Sequence, residues 1–523
     1  MPTHAGEKIT RRRMMHRCGM AALAAPLLYR STFARKRADS RPNFLFCIAD
    51  DWGWPYAPSY GDRWLNVPGF ERLAREGALF NNAFSCTSSC SPSRSNILSG
   101  QITWRLGEAI NLWKSMPSDT VTYPHILKEH GYHLGRTGKP WSPGDPGVEE
   151  PIGPEYTNFG DFMNHIPEDT PFCFWLGSYD PHRPFGGDCD PSRSNDDVHV
   201  PGFLPDVPEV RQDIKEYCCE IESFDRVCNW AIEKLEAEGM LDNTIVIMTG
   251  DQGMPFPRAK AHCYDYSNHV PFAVRWGAGQ GTAGRVVDDL VDFDDIAATF
   301  LEAAGVPIPE YMTGTSFLNV LKSDQEGIVD PSRDAVYACA EDHVGYYPER
   351  AIRTHEWHYI RNFEPDLNPN GGANHGRCDN GPTKTFMLEH KDDPDVKDLY
   401  ELSFGKRPAE ELYYMPDDPF QMNNLAEREE FRQLKEQLWN RLRGYMCQTG
   451  DPRSADCESV GLKGKPLPGI PSSGIGSVGA PSRTFTLQGR KADMSRAGNA
   501  PGVVVHESRS RAEKRVGIGT LSK

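Results

Sequence analysis

The sequence predicts an α/β protein: a mostly parallel sheet sandwiched by helices, with a smaller α+β subdomain at its C-terminal end. Three observations carry this reading. Short apolar runs at 44–49, 172–177, 244–249 and 270–275 have the continuous hydrophobicity of strands buried on both faces. Helix-like segments alternate with them, the pattern of crossover connections. Polar residues gather where the first three runs stop, and open α/β sheets bind their ligands at the carboxyl ends of strands.

Taken in order, F-L-F-C-I-A at 44–49 delivers Asp50 and Asp51. Residues 68–76 read as a short helix with Pro68 at its start, and 120–130 as another with Thr122 as cap. F-C-F-W-L-G at 172–177 ends just before Ser178-Tyr179-Asp180-Pro181-His182-Arg183. A long amphipathic stretch at 207–238 leads to T-I-V-I-M-T at 244–249, which ends in Gly250-Asp251-Gln252-Gly253. After 270–275 comes a helix at 292–304. From about residue 330 the strands become shorter and aromatic, as at 357–363, and a helix is expected at 425–447. These shifts divide the chain into a larger domain at 41–330 and a subdomain at 331–450. The Gly-, Ser-, Pro- and Arg-rich stretch at 451–523 has no periodicity and reads as a disordered tail.

The 523 residues suffice for two domains with a substantial core. A formal net charge of -16 excludes a broad basic face and with it non-specific nucleic-acid binding. An anionic substrate would need a local positive pocket. At the N-terminus, Arg11-Arg12-Arg13 precede a short apolar run at 19–28 and the small residues of Ser31-Thr32-Phe33-Ala34. That is the pattern of a bacterial export signal of twin-arginine type, so 1–40 is expected to be signal and linker, and the protein periplasmic or extracellular. The run is too short to span a bilayer, and no stable membrane insertion is expected. The fourteen cysteines define no zinc spacing, and their pairing is not legible.

The segment Cys86 to Gly100, C-T-S-S-C-S-P-S-R-S-N-I-L-S-G, is the most informative in the chain. Ser91 suits an N-cap and Pro92 the first helical position, so Cys90 would sit at a helix mouth whose dipole favours an anion. Arg94 would project near the same end as a multi-donor clamp. A buried structural thiol beside a capped helix is the plainer alternative. Asp50, Asp51, Asp251 and Gln252 follow two different strands and form an all-oxygen set, suited to Ca²⁺ or Mg²⁺ and not to zinc.

C-x-P-S-R followed by N-I-L-S-G-Q resembles the signature of the formylglycine-dependent sulfatases, within the alkaline phosphatase-like superfamily. The resemblance runs over most of 41–446 and implies that Cys90 is oxidised to formylglycine, whose hydrate attacks sulfur. It implies a maturase partner, either a formylglycine-generating enzyme or a radical enzyme. It further implies one divalent cation, Ca²⁺ in preference to Mg²⁺, on Asp50, Asp51, Asp251 and Gln252. Gln252 stands where Asn or His is commoner, keeping the amide oxygen but adding a methylene. Lys139 in T-G-K-P-W-S-P-G and Lys260 in M-P-F-P-R-A-K match the family's sulfate-binding basic residues, which with Arg94 would stabilise charge on the sulfuryl oxygens. His182 in D-P-H-R-P matches its general acid.

Y-D-P-H-R-P, G-D-Q-G-M-P-F-P-R-A-K and Tyr346-Tyr347-Pro348 are similar to the sulfamidase (heparan N-sulfatase) branch. That similarity implies sugar contacts from Asp180, Glu341 and Asp342, and a sulfated sugar or glycosaminoglycan as substrate. One departure stands out. Many members carry a histidine two or three residues after the G-K lysine, where this chain has Pro140, Trp141 and Ser142; His133 is the nearest histidine upstream. Two other readings remain: a phosphodiesterase or phosphonate monoester hydrolase of the same superfamily, and a catalytically silent sulfated-glycan binder.

Overall fold

The computed structural model describes residues 41–186, 189–370, 375–454 and 457. The expected export segment at 1–40 and nearly all of the expected tail lie outside the described residues. Eight strands form the larger sheet: β1 (Asn43–Ala49), β2 (Ala78–Phe84), β3 (His133–Thr137), β4 (Phe172–Gly177), β5 (Thr244–Gly250), β6 (His269–Arg275), β7 (Arg285–Val287) and β8 (Val291–Asp292). Their order is β3-β4-β1-β5-β6-β2-β7, with β8 also on β2. β6 runs antiparallel to both neighbours, and every other pairing is parallel. β2 and β3 had no strand expectation: A-L-F-N-N-A-F and H-L-G-R-T mix apolar with polar residues and lack the continuous run that betrays the central strands.

Period-two alternation divides β1 between two cores. Leu45, Cys47 and Ala49 pack on one face against the long helix Pro208–Ala237 and the helix Pro68–Glu76. Phe44, Phe46 and Ile48 pack on the other with the helices Cys90–Ser99, Tyr123–Glu129 and Asp294–Ala303. A fully buried side chain of this size contributes roughly 2 kcal/mol. The two helical layers therefore fix the sheet from both sides. Around β1, the strand ends are consecutive: β3, β4, β1 and β5 all finish on the same rim, in register at Thr137–Leu176, Ile48–Gly177 and Ala49–Gly250.

A second, antiparallel sheet follows, in the order β12-β11-β10-β9: β9 (Ala335–Asp342), β10 (Tyr346–Thr354), β11 (Trp357–Asn362) and β12 (Glu410–Tyr414). The helix packed on it spans Arg432–Thr449 and starts later than the expected 425. Leu425 and Asn424 are strapped to β12 instead: the Leu425 amide donates to the Leu412 carbonyl (2.8 Å), and the Leu412 amide to Asn424 Oδ1 (2.9 Å). The chain also stays within the fold past Thr449. Asp451 is buried against Arg350 (2.5 and 3.1 Å), and Arg453 binds Glu341 (2.6 and 2.7 Å). Disulfides join Cys189 to Cys219 and Cys447 to Cys457, while Cys218 is a buried free thiol.

Candidate active site

Four neighbouring strand ends supply the site. β1 gives Asp50 and Asp51, β5 gives Asp251 and Gln252, β3 gives Lys139, and β4 leads into Asp180 and His182. The helix Cys90–Ser99 points its first residue at the same place. It begins two residues earlier than the expected capping by Ser91: Ser89 is the residue before it, and the Ser93 amide bonds the Ser89 carbonyl (2.8 Å). Ser89 Oγ is turned away from the helix to His343 Nδ1 (2.8 Å).

Local backbone devices hold the rim. Asp51 has a left-handed φ of 73°, an unfavourable region for a residue with a Cβ. Its amide donates to Asp251 Oδ1 (3.0 Å), and its carbonyl accepts from the Tyr217 hydroxyl (2.8 Å). Gly138, at φ 68°, passes so close to β4 that a Cβ there would lie 1.9 Å from the Gly177 carbonyl oxygen. Only glycine allows this turn, which carries Lys139 back over the strand ends.

Cys90 is 3% exposed, and the Gln252 amide nitrogen lies 3.1 Å from its sulfur. Burial, reinforced by Asp50 and Asp251, pushes the thiol pKa well above its ordinary value despite Lys139 and Lys260. The unmodified thiol is therefore protonated and a weak nucleophile. Lys139 is ion-paired with Asp50, and Lys260 with Asp51 (2.7 Å). Burial works against both ammonium groups, but the surrounding carboxylates outweigh it and raise both pKa values. For Asp50 burial acts in the opposite sense and is outweighed by Lys139, so its pKa is lowered. In Asp251 burial and Asp50 prevail, raising it to about 7.

Arg94 is fully buried and directs its donors inward, to Asp251 Oδ2 (2.9 Å) and to the carbonyls of Lys139 (3.1 Å), Pro140 (3.0 Å) and Ala49 (3.5 Å). The sequence suggests an open oxyanion clamp; the structure instead spends this guanidinium on tying three strand ends together. His182, about one-third exposed, faces the cleft. Its Nδ1–H donates to the Arg183 carbonyl (2.6 Å), which leaves Nε2 3.6 Å from Asp379 and 3.9 Å from Asp51.

Asp379 had no sequence expectation. It lies 3.2 Å from Lys260 Nζ, and its carboxyl is held down at about 2: burial opposes this, but Lys260 and His182 win. Its segment, R-C-D-N-G, follows no strand and fits no motif. His343 was likewise not legible. Burial and Lys260 hold its pKa well below the ordinary range, so it is neutral beside Ser89.

The expected sugar contacts diverge. Asp180 sits on the rim, its carbonyl accepting from the Asp50 amide (3.0 Å). Asp342 lies beside the loop 111–113, its carbonyl accepting from the Leu112 amide (3.1 Å) and its amide donating to Asn111 Oδ1 (3.2 Å). Glu341 is bound by Arg350 Nη2 (2.8 Å) and by Arg453 through both oxygens, so its carboxylate serves the subdomain's ion network. The stretch after Lys139 holds no base: Trp141 is buried and donates to Ser95 Oγ (2.7 Å). His133 lies at the amino end of β3, stacked on Phe162 (5.2 Å), at the opposite end of that strand from the site.

The carboxylates fit a hard cation. Asp50, Asp51 and Cys90 each bring a ligand atom within 4.8 Å of one another. Asp50 Oδ1 and Gln252 Oε1 are buried oxygens without a hydrogen-bond partner, the condition a metal ion would relieve. A buried cysteine, a carboxylate cluster fit for a hard cation and two lysines at the carboxyl ends of a parallel sheet are the arrangement of a hydrolase of tetrahedral oxyanion esters on an alkaline phosphatase-like fold.

The comparisons specify which kind. A family profile described as Sulfatase matches residues 42–145 and 156–306, and one described as N-sulphoglucosamine sulphohydrolase, C-terminal, matches 258–367. The chain is 25% identical over 465 residues to an ulvan-active sulfatase of Formosa agariphila, covering 79% of this chain and 76% of that one. It is 26% identical over 482 residues to N-sulphoglucosamine sulphohydrolase of Homo sapiens, covering 79% and 91%. A solved structure of a protein in complex with its substrate D-glucosamine-2-N,6-O-disulfate superposes with a TM-score of 0.60 at 19% identity, covering 79% and 99%. The chain belongs to the sulfatase family and is a sulfuric ester hydrolase. Among the described residues no helix is long and apolar enough to cross a membrane.

Proposed function

We propose that the protein hydrolyses sulfate esters or sulfamates of a sulfated sugar, with formylglycine made from Cys90 as its nucleophile and Ca²⁺ as its metal. The observation that carries the proposal is the meeting of Cys90, Gln252, Asp51 and the two lysines on one strand-end rim. The relatives supply the sugar class: one is named for ulvan and another for N-sulphoglucosamine. A raised thiol pKa argues for a converted cysteine, since the thiol itself is poorly nucleophilic. The hydrated aldehyde would supply the attacking oxygen.

Asp50, Asp51, Asp251 and Gln252 would hold the cation, which would polarise a sulfuryl oxygen and orient the nucleophile. Lys139 and Lys260 would neutralise the sulfuryl oxygens from two sides, both already committed to the cationic form. Arg94 would act on Asp251, fixing a ligand and not the substrate. The Arg183 carbonyl fixes the His182 tautomer, so its Nε2 is the atom that carries the proton to the leaving oxygen or nitrogen. Asp180 and Asp342 would meet the sugar. Export through the N-terminal segment, and modification by a maturase in the producing cell, complete the reading.

The test has two arms. Mass analysis of the Cys90 peptide from the native host should show loss of the thiol and gain of an aldehyde. Parallel assays on glucosamine N-sulfate, glucosamine 6-sulfate and matched phosphate esters should show turnover of a sulfated sugar, abolished in Cys90→Ala with the fold retained. An unmodified thiol with no turnover would instead identify a silent glycan binder, and faster phosphate than sulfate hydrolysis a phosphohydrolase.

A further inference from the structure

Trp113 is 52% exposed, and among the described residues no other Trp, Phe or Tyr is exposed. An indole left in water is unusual, because aromatic side chains carry the largest apolar surface to bury. Its backbone is unusual as well. φ is 66°, left-handed, where a bulky side chain is disfavoured and persists only when its surroundings impose it.

The surroundings that impose it are those of the active site. The Trp113 amide donates to Ser91 Oγ (3.3 Å), on the residue next to Cys90. Trp113 pairs as a parallel bridge with Gly144, five residues after Lys139, where a Cβ would lie 2.8 Å from the Trp113 carbonyl oxygen. The preceding residue, Leu112, bonds the Asp342 carbonyl (3.1 Å). Three segments that carry site residues thus converge on this one backbone unit and present its side chain to solvent.

We infer that Trp113 is a carbohydrate-stacking platform at the mouth of the site. It would take the apolar C–H face of a pyranose ring adjacent to the one bearing the reacting sulfate. The indole face is electron-rich and flat, and the axial C–H groups of a pyranose are polarised towards it. Binding sites of this kind pair an aromatic surface with a few polar groups that set orientation, here Asp342, hydrogen-bonded to the residues just before Trp113. The inference rests on the sulfated-sugar reading and deepens it: the substrate extends over at least two sugar units.

The test compares the full-length wild type with Trp113→Ala and Trp113→Phe. Glucosamine N-sulfate serves as the one-ring probe, and a heparan-derived tetrasaccharide with that sugar at its non-reducing end as the extended probe. Trp113→Ala should lose about 10-fold in kcat/KM on the tetrasaccharide, chiefly through KM, equivalent to ~1.4 kcal/mol. It should change less than about 2-fold on the monosaccharide, and Trp113→Phe should recover most of the loss. Equal losses on both probes, or none on either, would overturn the platform. If the wild type hydrolyses neither probe, the activity reading on heparan-type sugars fails separately. The platform is then decided by fluorescence titration with the same tetrasaccharide and with ulvan oligosaccharides. Saturable binding lost in Trp113→Ala supports it; binding that is absent or unchanged overturns it.

Discussion

Gln252 reaches Cys90 with its amide nitrogen, at 3.1 Å from the sulfur, while its amide oxygen is buried with no hydrogen-bond partner. The extra methylene relative to asparagine therefore does not withdraw this side chain from the site. It brings both an unpartnered amide oxygen and a hydrogen-bond donor to Cys90. Replacing Gln252 with Leu should lower Ca²⁺ affinity at least about 10-fold, the loss of one oxygen ligand from a hard-cation set. Calorimetric titration of the chelator-treated protein measures this directly.

Chelation itself should both inactivate and destabilise. Without a cation, Asp50, Asp51 and Asp251 share a buried space, and burial together with mutual repulsion raises Asp251 to about 7. Saturating Ca²⁺ at a hundred times its Kd should add about 2.7 kcal/mol of stability. The Tm should rise on adding Ca²⁺ to the chelated protein. An unchanged Tm would mean that no cation sits among these carboxylates.

Lys139 is the counter-ion of Asp50 in the buried rim. Lys139→Met should lower kcat/KM by about 10²–10³-fold, the usual loss on removing one charge-stabilising donor. It should also leave Asp50 buried and unpaired, so the variant's Tm should depend on Ca²⁺ more steeply than the wild type's. Steady-state kinetics and calcium-dependent melting separate the two effects.

The subdomain's stability should hinge on Arg350. It is fully buried between Asp451 and Glu341, and removing one partner of a buried ion pair costs about 3–5 kcal/mol. Asp451→Ala should show this in denaturant unfolding. Arg350→Ala should cost at least as much, because it leaves two carboxylates without their counter-ion.

His269 provides a pH signature. It is buried between Trp54 (4.7 Å) and Phe84 (4.6 Å), and burial lowers its pKa from 6.5 to about 4. The unfolded chain binds this proton near 6.5 and the folded chain only near 4. Its contribution is therefore whole above 6.5 and is lost as pH falls through the interval down to 4. The full effect is about 3 kcal/mol. In His269→Gln the fall in stability between pH 7 and pH 4 should be smaller than in the wild type by about that amount.

The central fold was legible because its strands are buried on both faces and announce themselves as unbroken apolar runs, as in β1, β4 and β5. Edge strands such as β3 lack that signal. Cys90, Asp50, Asp51, Asp251, Gln252, Lys139, Lys260 and His182 are legible as candidates because each follows a strand or lies in a short motif, and the fold brings them together. Asp379 and His343 are not legible because they reach the site by long-range folding, from loops whose local sequence carries no pattern. Arg94 shows the converse limit. Its place was evident from C-x-P-S-R, but its partners depend on three strand ends that only the fold assembles.

The helix Cys90–Ser99 is buried at every one of its ten positions. A macromolecular catalyst needs several extended residues of its target inside its own cleft, and this segment offers none once packed. Any enzyme that converts Cys90 must therefore win a race against folding. It has to read C-x-P-S-R on the nascent chain, before β5, some 150 residues further along, arrives to close the rim. Molecules that fold first would be locked, well formed and inert. The active fraction of a preparation would then record translation speed and maturase supply in the producing cell, not the stability of the finished protein.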